Sequence, residues 1–386
     1  MIKVCDAIMG SGKSSAAINY MNGHPDRKFI YISPYTSEDA RIVQACPACH
    51  FVEPQESWFW KEENEDGLEV IRSRKGKRSK TQHTAQLIRE GRNIATTHQA
   101  FLFYTEEMLE DIRGQEYTLI IDEDVQVISQ YMYHRADLEI LESGGYIRFE
   151  NDEYMLVRKP EGISAMSEIL RILESRNLIV VNGGKNWAGA VMWEMPVRLI
   201  NAFKDVYILT YMFEGQALYN LLRINNMSYM DIGIMKDDSG YHFDDSGATN
   251  TSGHAATLAR KIHIYDREKA NRIGDEKTAL SKHWFATHPE DVEKLSHNIV
   301  NYFRYAMGTP AEKRLWTTFK SASSKIARKG IRKGFVVLNK KATNEYSDRN
   351  TLVYAANVYM TPVIKNYYRR NGLEVNEDMY ALSTMV

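Results

Sequence analysis

The feature that most constrains this chain is a glycine-rich octapeptide near its N-terminus, AIMGSGKS at 7–14. It fits the phosphate-binding loop pattern G-x-x-x-x-G-K-[ST], except that Ala7 stands where the pattern has its first glycine. A short apolar run, 2–7, precedes the loop, and a helix-forming stretch, 14–21, follows it. This strand–loop–helix context predicts a P-loop in an α/β fold, with a nucleoside triphosphate as its ligand.

The residue types in the loop suit a bound phosphate chain. Gly10 and Gly12 permit backbone angles that turn successive amide N–H groups inward, and the following helix directs its positive end at the same place. Lys13 is expected to reach the β- and γ-phosphates, and the Ser14 hydroxyl to ligate Mg²⁺. We therefore expect ATP and Mg²⁺ as cofactors. The predicted nucleotide-binding residues are Ala7, Met9, Gly10, Ser11, Gly12, Lys13, Ser14 and Ser15.

An acidic segment, LIIDED at 119–124, is the expected partner of the loop. A buried strand would deliver Asp122 at its carboxyl end, which is where ligands bind in open α/β sheets. Asp122 is predicted to hold Mg²⁺ through water, together with Ser14, and Glu123 to orient and deprotonate the attacking water. An Asp-Glu pair indicates water as the phosphoryl acceptor, so Lys13, Asp122 and Glu123 predict an ATP hydrolase.

Polar residues also follow three other predicted strands. Ser33 and Pro34 end one strand, and Thr97 and His98 follow the next, where they are expected to contact a phosphodiester backbone. Thr210 follows a strand in the same way and is predicted to couple the state of the γ-phosphate to the rest of the chain. Serine and threonine after strands are also ordinary helix caps, so the order of these segments along the chain is more informative than any one of them.

The chain has 386 residues, enough for two domains with their own cores. Short apolar runs separated by helical stretches predict parallel sheets buried on both faces. We expect a first domain at 1–214, with an insertion at about 130–200, and a second at 215–386. The predicted strands of the second half are 261–265, 313–317 and 334–338.

Composition limits the remaining choices. Three cysteines fit a reducing compartment, and no stretch approaches the ~20 apolar residues of a membrane span, so we expect a cytoplasmic protein. Cys46, Cys49 and His50 lack a second ligand pair at a usual spacing for zinc. The net charge of −1 hides two basic segments, 72–80 and 320–333, which are candidate surfaces for a polyanion.

Taken in order, these segments resemble the motifs of superfamily 2 helicases, and specifically the DEAD-like helicases encoded by bacteriophages. Motifs I, Ia, Ib, II and III are similar to AIMGSGKS (7–14), YISPY (31–35), TTHQAF (96–101), LIIDED (119–124) and ILTYMF (208–213). The second-domain segments that resemble this group are LWTTF (315–319), GFVVLN (334–339), ATNEY (342–346), NVYMTP (357–362) and DMYALS (378–383).

The resemblance implies a P-loop NTPase with two RecA-like domains, each with a parallel sheet, and ATP bound between them. It implies a single-stranded nucleic-acid partner, with DNA favoured over RNA and the choice between them left open, and a role as an ATP-dependent helicase or translocase in phage replication or recombination. The location would then be the host cytoplasm. No adenine-reading segment stands before Ile2, so base specificity is not indicated.

One part of the family pattern is not found. In this group an arginine-rich motif VI follows the segment like YALS, and here the sequence stops at Val386. An arginine finger contributes roughly 10³–10⁵ in rate where one is used. Three explanations stay open: the chain is a fragment, the arginine comes from elsewhere, or turnover is slow. The alternatives to a helicase are a terminase-type packaging ATPase, a P-loop phosphotransferase, and an ATP-binding nucleic-acid module with little turnover.

Overall fold

The computed structural model describes residues 1–57, 60–63, 69–72, 78–158, 166–175, 177–181, 189–247, 252–266, 271–338, 340 and 345–385. The chain forms two compact units. Unit 1 comprises Met1–Ala256 and Thr361–Val375, and unit 2 comprises Thr257–Met360 and Asn376–Val386.

The strands, numbered along the chain, are β1 (Ile2–Asp6), β2 (Phe29–Ser33), β3 (Trp60–Glu63), β4 (Glu69–Arg72), β5 (Ile94–Thr97), β6 (Thr118–Asp122), β7 (Ile128–Tyr131), β8 (Ile147–Glu150), β9 (Glu153–Leu156), β10 (Asn177–Val181), β11 (Ala190–Glu194), β12 (Asp205–Thr210), β13 (Met230–Asp231), β14 (Gly233–Asp237), β15 (Gly240–Asp244), β16 (Arg314–Thr318), β17 (Phe335–Val337) and β18 (Thr351–Tyr354). The α-helices are α1 (Lys13–Asn22), α2 (Thr36–Ala45), α3 (Lys80–Arg89), α4 (His98–Phe101), α5 (Glu106–Gly114), α6 (Arg135–Ser143), α7 (Ser167–Ser175), α8 (Arg198–Asn201), α9 (Ala217–Ile224), α10 (Ser252–Lys261), α11 (Trp284–Thr287), α12 (Pro289–Asn301), α13 (Lys320–Ile326), α14 (Pro362–Arg370) and α15 (Glu377–Met385). A π-helix, Tyr302–Ala306, continues α12.

The central sheet of unit 1 has six parallel strands in the order β13-β1-β12-β6-β2-β5. Every residue of β2 and β6 is buried, which explains why these strands read as continuous apolar runs rather than alternating ones. β12 lies between the strand that leads into the phosphate loop and the strand that ends in Asp122. This is the α/β, RecA-like arrangement that the sequence predicted, and the fold class is confirmed.

A second sheet of unit 1 is built from the predicted insertion. Five antiparallel strands run in the order β7-β11-β10-β9-β8, and α14 packs on β7 and β10. The Tyr367 hydroxyl of α14 donates a hydrogen bond to the carboxylate of Glu194, whose pKa burial raises to about 7. Arg370 pairs with Asp152 at 2.9 Å. Unit 1 is therefore completed by α14, which begins at Pro362, roughly 170 residues after the end of β11 at Glu194.

Unit 2 contains a three-stranded parallel sheet in the order β17-β16-β18. Its core is centred on Trp316, which is 1% exposed and whose indole N–H donates to the carbonyl of Ile331 at 2.7 Å. The predicted strands at 313–317 and 334–338 correspond to β16 and β17.

Two predictions about the second half differ from the structure. The segment 261–265, predicted as a strand, is the last residue of α10 followed by irregular chain. Its alternating pattern would place Ile262 and Ile264 on one buried face, yet these side chains are 67% and 81% exposed, so burial does not favour a strand. The boundary predicted at 214/215 falls inside unit 1, because β13 pairs with β1 beyond it.

The cysteines serve the core of unit 1. All three are free and buried, and Cys49 Sγ donates to the carbonyl of Met21 at 3.2 Å. Burial raises the pKa of Cys46 to about 12. Among the described residues, no cluster of three or more histidine, cysteine or acidic side chains could hold a metal ion. No helix in that part of the chain is long and apolar enough to cross a membrane.

The side-chain amide of Asn93 is buried beside the start of β2 and bonds two backbone groups. Asn93 accepts a hydrogen bond from the Phe29 amide and donates one to the carbonyl of Cys49, both at 2.6 Å. In Asn93→Ala both backbone groups lose their partner, so we expect the free energy of unfolding in urea to fall by about 2 kcal/mol or more. Asn201→Ala, at the exposed end of α8, is the control and should change it by less than about 0.5 kcal/mol. Equal effects of the two substitutions would contradict the assignment.

Candidate active site

The phosphate loop joins β1 to α1 at the carboxyl edge of the central sheet. Gly10 and Gly12 have φ values of 76° and 98°, in the left-handed region that favours glycine. The backbone at Ala7 is not left-handed, so alanine is accommodated at the first position of the pattern. The Ala7 amide donates to the carbonyl of Thr210 at 3.0 Å, which ties the start of the loop to the end of β12.

One polar atom of the loop fits a bound phosphate. Ser11 is 4% exposed, and its Oγ has no hydrogen-bond partner within the part of the chain that the structure describes. A buried hydroxyl without a partner is destabilising, and a phosphate oxygen would supply the acceptor. The start of α1 and this hydroxyl, on a loop shaped by two left-handed glycines, therefore fit a bound triphosphate.

Lys13 lies against the loop that precedes it. Its ammonium donates to the carbonyl oxygens of Ala7 at 2.5 Å and Ile8 at 3.3 Å. Burial lowers the pKa of Lys13, and the nearby carboxylate of Glu123 opposes that shift. The cation is held within the loop, from which its flexible side chain can turn to a phosphate.

Asp122 is the meeting point of three elements. Ser14 Oγ, in the first turn of α1, donates to its Oδ2 at 3.0 Å, and the Tyr31 hydroxyl of β2 donates to the same oxygen. Asp122 is only 6% exposed. Burial raises its pKa, and the hydrogen bonds from Tyr31 and Ser14 counteract that effect. The predicted metal ligands Ser14 and Asp122 are thus in direct contact, an arrangement with the hydroxyl and carboxylate oxygens that Mg²⁺ prefers.

The backbone after Asp122 takes an unusual conformation. Glu123 has a φ of 69°, which costs a non-glycine residue on the order of 1–2 kcal/mol. Its amide donates to the carbonyl of Leu209 at 2.9 Å, and the imidazole Nε2 of His98 hydrogen-bonds the carbonyl of Asp122 at 2.8 Å. These two bonds hold the turn that sets the position of the Glu123 carboxylate. Strain of this kind is concentrated at functional sites.

Thr210, the predicted coupling residue, is 2% exposed at the end of β12. Its hydroxyl exchanges hydrogen bonds with the side-chain amide of Gln216, at 2.9 Å to Oε1 and 2.6 Å from Nε2. Gln216 also donates to the carbonyl of Tyr211 at 3.0 Å. Since the carbonyl of Thr210 accepts from Ala7, this residue connects the phosphate loop to the start of α9.

The residues predicted to contact a nucleic acid divide into two groups. Ser33 is fully buried and donates to Asp39 at 2.7 Å, while His98 is 7% exposed and bound to Asp122. Direct contact of these two side chains with a nucleic acid is therefore contradicted by their burial. Pro34 and Thr97 are partly exposed, but the Thr97 hydroxyl caps α4 by accepting from the amide of Ala100. For Thr97 the ordinary capping role is the one observed.

Three residues that organise the site were not identified in the sequence as such: Tyr31, Gln216 and, in its observed role, His98. Tyr31 belongs to the segment that resembles motif Ia, and its position within a buried strand is typical of a core aromatic residue. Its hydroxyl can be assigned to the site only when β2 is known to lie beside β6, which ends in Asp122.

The comparisons with known proteins agree with this organisation. The SPbeta prophage-derived uncharacterized protein YonV of Bacillus subtilis (strain 168) is 34% identical over 392 residues, a match that covers 100% of this chain and 91% of that protein. The chain belongs to the YonV family. The family model for the YonV C-terminal Rossmann-like domain matches residues 256–386, a range that begins beside the start of unit 2 at Thr257.

A solved structure named XPD_Helicase is a more distant match. It aligns with 100% of this chain and 88% of its own, at 12% identity and a TM-score of 0.38. A likeness at this level carries no argument about activity, so functional inference rests on the residues of this chain.

The buried carboxylate of Asp122 gives a test of the site by stability. Because burial raises its pKa above the ordinary value of 3.8, the ionised group destabilises the folded state at neutral pH, and the penalty disappears as the pH falls below that value. Asp122→Asn keeps the shape and the hydrogen bonds without the charge. We expect it to raise the free energy of unfolding by about 1 kcal/mol at pH 7, with the gain shrinking in acid.

Urea unfolding at pH 7 and at pH 4 measures this difference. Asp26→Asn removes an exposed carboxylate and is the matched control, expected to change stability little at either pH. An Asp122→Asn protein that is less stable than wild type at pH 7 would show that the carboxylate is not under electrostatic penalty.

Proposed function

We propose that this chain binds Mg·ATP through its phosphate loop and hydrolyses it while acting on a nucleic acid, as a helicase or translocase of phage type. The observation that carries the proposal is the 3.0 Å hydrogen bond between Ser14 and Asp122. It joins the first turn of α1 to the carboxyl end of β6, across the intervening strand β12. A hydroxyl and a carboxylate brought together beside a phosphate loop form the usual Mg²⁺ site of P-loop NTPases.

Different residues of the site have different roles in binding and hydrolysis. The loop amides and Lys13 bind and orient the phosphates, and Ser14 and Asp122 hold the metal. Bound Mg²⁺ would neutralise charge that develops on the phosphates. Glu123, placed by the left-handed turn after Asp122, is the base that accepts a proton from the attacking water. Water as acceptor favours hydrolysis over phosphate transfer to a small molecule.

The nucleic-acid partner is supported by the surface of unit 2. The described basic segment after β16 presents exposed cations, and its Lys329 carbonyl accepts a hydrogen bond from Arg304 of the π-helix at 3.3 Å. Tyr305, next along the π-helix, is 78% exposed. Cations beside an exposed aromatic ring suit the phosphates and bases of a single strand. The exposed basic residues are Arg304, Lys320, Lys325, Lys329, Arg332 and Lys333.

The role of Glu123 is tested by Glu123→Gln. We expect the ATP hydrolysis rate to fall by about 10²-fold or more, since a general base contributes about 10²–10⁴, while ATP binding stays near that of wild type. Steady-state phosphate release and binding of a fluorescent ATP analogue measure the two quantities. Glu110→Gln, an exposed residue of α5, is the matched control and should leave both unchanged. Normal hydrolysis by Glu123→Gln would remove Glu123 from the mechanism.

The partner is tested through salt dependence. The double variant Arg332→Ala, Lys333→Ala should bind single-stranded DNA more weakly, and the slope of log K against log salt should decrease by up to about 2. Lys294→Ala is the control, because its ammonium is already paired with Asp291 at 3.0 Å. Fluorescence anisotropy at several salt concentrations measures the slopes.

The reaction class follows from the wild-type protein in the same assays. Stimulation of ATP hydrolysis by single-stranded DNA supports the helicase or translocase. Lack of stimulation by any nucleic acid, or phosphate transfer from ATP to a nucleoside, would contradict it.

A further inference from the structure

The hairpin β14–β15 packs on α1, the helix that begins at the phosphate loop. Asn19 of that helix donates its side-chain N–H to the carbonyl of Tyr241 at 3.0 Å. Phe243, two residues on, stacks on Tyr207 of β12 with ring centroids 5.2 Å apart and planes 22° apart. Ile234 of β14 is buried in the same core. The hairpin is therefore fixed to both the helix and the sheet, and its side chains have defined positions at the loop.

One of those side chains reaches the loop itself. The Tyr241 ring lies so close to Gly12 that a Cβ on that glycine would stand 2.2 Å from the ring Cδ1. Gly12 must therefore be glycine for two reasons, its φ of 98° and the space that the ring occupies. Tyr241 itself is only partly buried, so the ring is both in contact with the loop and open on part of its surface.

The position of the ring indicates which end of a nucleotide it would meet. Asp122 and Glu123, which mark the metal and the γ-phosphate in the proposed function, lie at the end of β6, on one side of β1 in the sheet. The hairpin follows β13, the strand on the other side of β1. A triphosphate with its γ-end at Asp122 directs its nucleoside toward the hairpin.

We propose that Tyr241 is the base-recognition residue of the nucleotide site, an aromatic wall for the nucleobase or ribose. This inference rests on the proposed function, since it needs a nucleoside triphosphate in the loop. Aromatic rings bind bases by stacking and do so with little preference among them. Lys236, the cross-strand partner of Tyr241, holds its ammonium 5.1 Å from the ring centroid and adds a cation next to the same wall.

Two ligands separate base recognition from phosphate binding: ATP and inorganic tripolyphosphate, which has no base. Isothermal titration with Mg²⁺ present measures the affinity of each for wild type, Tyr241→Ala, Tyr241→Leu and Tyr241→Phe. We expect Tyr241→Ala and Tyr241→Leu to weaken ATP binding on the order of 10-fold and to leave tripolyphosphate binding unchanged. Tyr241→Phe should retain the wild-type affinity for both ligands.

The controls distinguish loss of the ring from loss of the fold. Tyr241→Leu keeps apolar bulk against Gly12, and thermal unfolding identifies a variant that is damaged as a whole. Met132→Ala, at an apolar side chain of unit 1 that is 83% exposed and belongs to neither proposed binding site, should change neither affinity. Equal losses for ATP and tripolyphosphate would mean that Tyr241 only supports the loop, and this would overturn the proposal, as would no loss for ATP. If wild type binds neither ligand, the proposed function itself fails.

Discussion

The buried carboxylate of Asp122 is the constraint on which the rest of the site depends. Its own oxygens bind Ser14 and Tyr31, and its backbone carbonyl binds His98, so α1, β2 and α4 are all fixed to the end of β6. Burying an ionised group destabilises the folded chain unless hydrogen bonds compensate it. The large parallel sheet supplies the stability against which this penalty is set, and the result is a rigid anionic centre at the edge where the phosphate loop opens.

The parts of the site that could be predicted are those encoded by contiguous residues. A phosphate loop is recognised from eight residues, and the acidic pair from the apolar strand that precedes it, because each pattern expresses a local requirement of backbone shape or strand burial. Tyr31 could not be assigned in this way, since its partner is 91 residues away and the contact exists only because β2 pairs with β6. Serine and histidine after a strand serve equally well as internal donors, and Ser33 and His98 proved to be such donors.

The same distinction explains the second half of the chain. β16 and β17 were predicted because a buried parallel strand leaves a continuous apolar signal. The alternation at 261–265 carries no information about a partner strand, and its isoleucines stay exposed. Tyr241 is the clearest case of what a sequence conceals. Tyr241 and Gly12 are 229 residues apart in the sequence, and no pattern in the hairpin sequence predicts their contact.

The return of the chain to unit 1 at α14 has a consequence for how the protein is made. Tyr367 and Arg370 bind the antiparallel sheet only after all of Thr257–Met360 has been synthesised. A ribosome adds about 5–20 residues each second, so the antiparallel sheet lacks α14 for at least several seconds while Thr257–Met360 is synthesised. During that interval Glu194 lacks the hydrogen bond that Tyr367 donates in the complete unit. Unit 1, which carries the candidate active site, is thus completed only after Thr257–Met360 of unit 2 has been made, and ribosome-bound chains would contain a folded phosphate loop before they contain a finished unit 1.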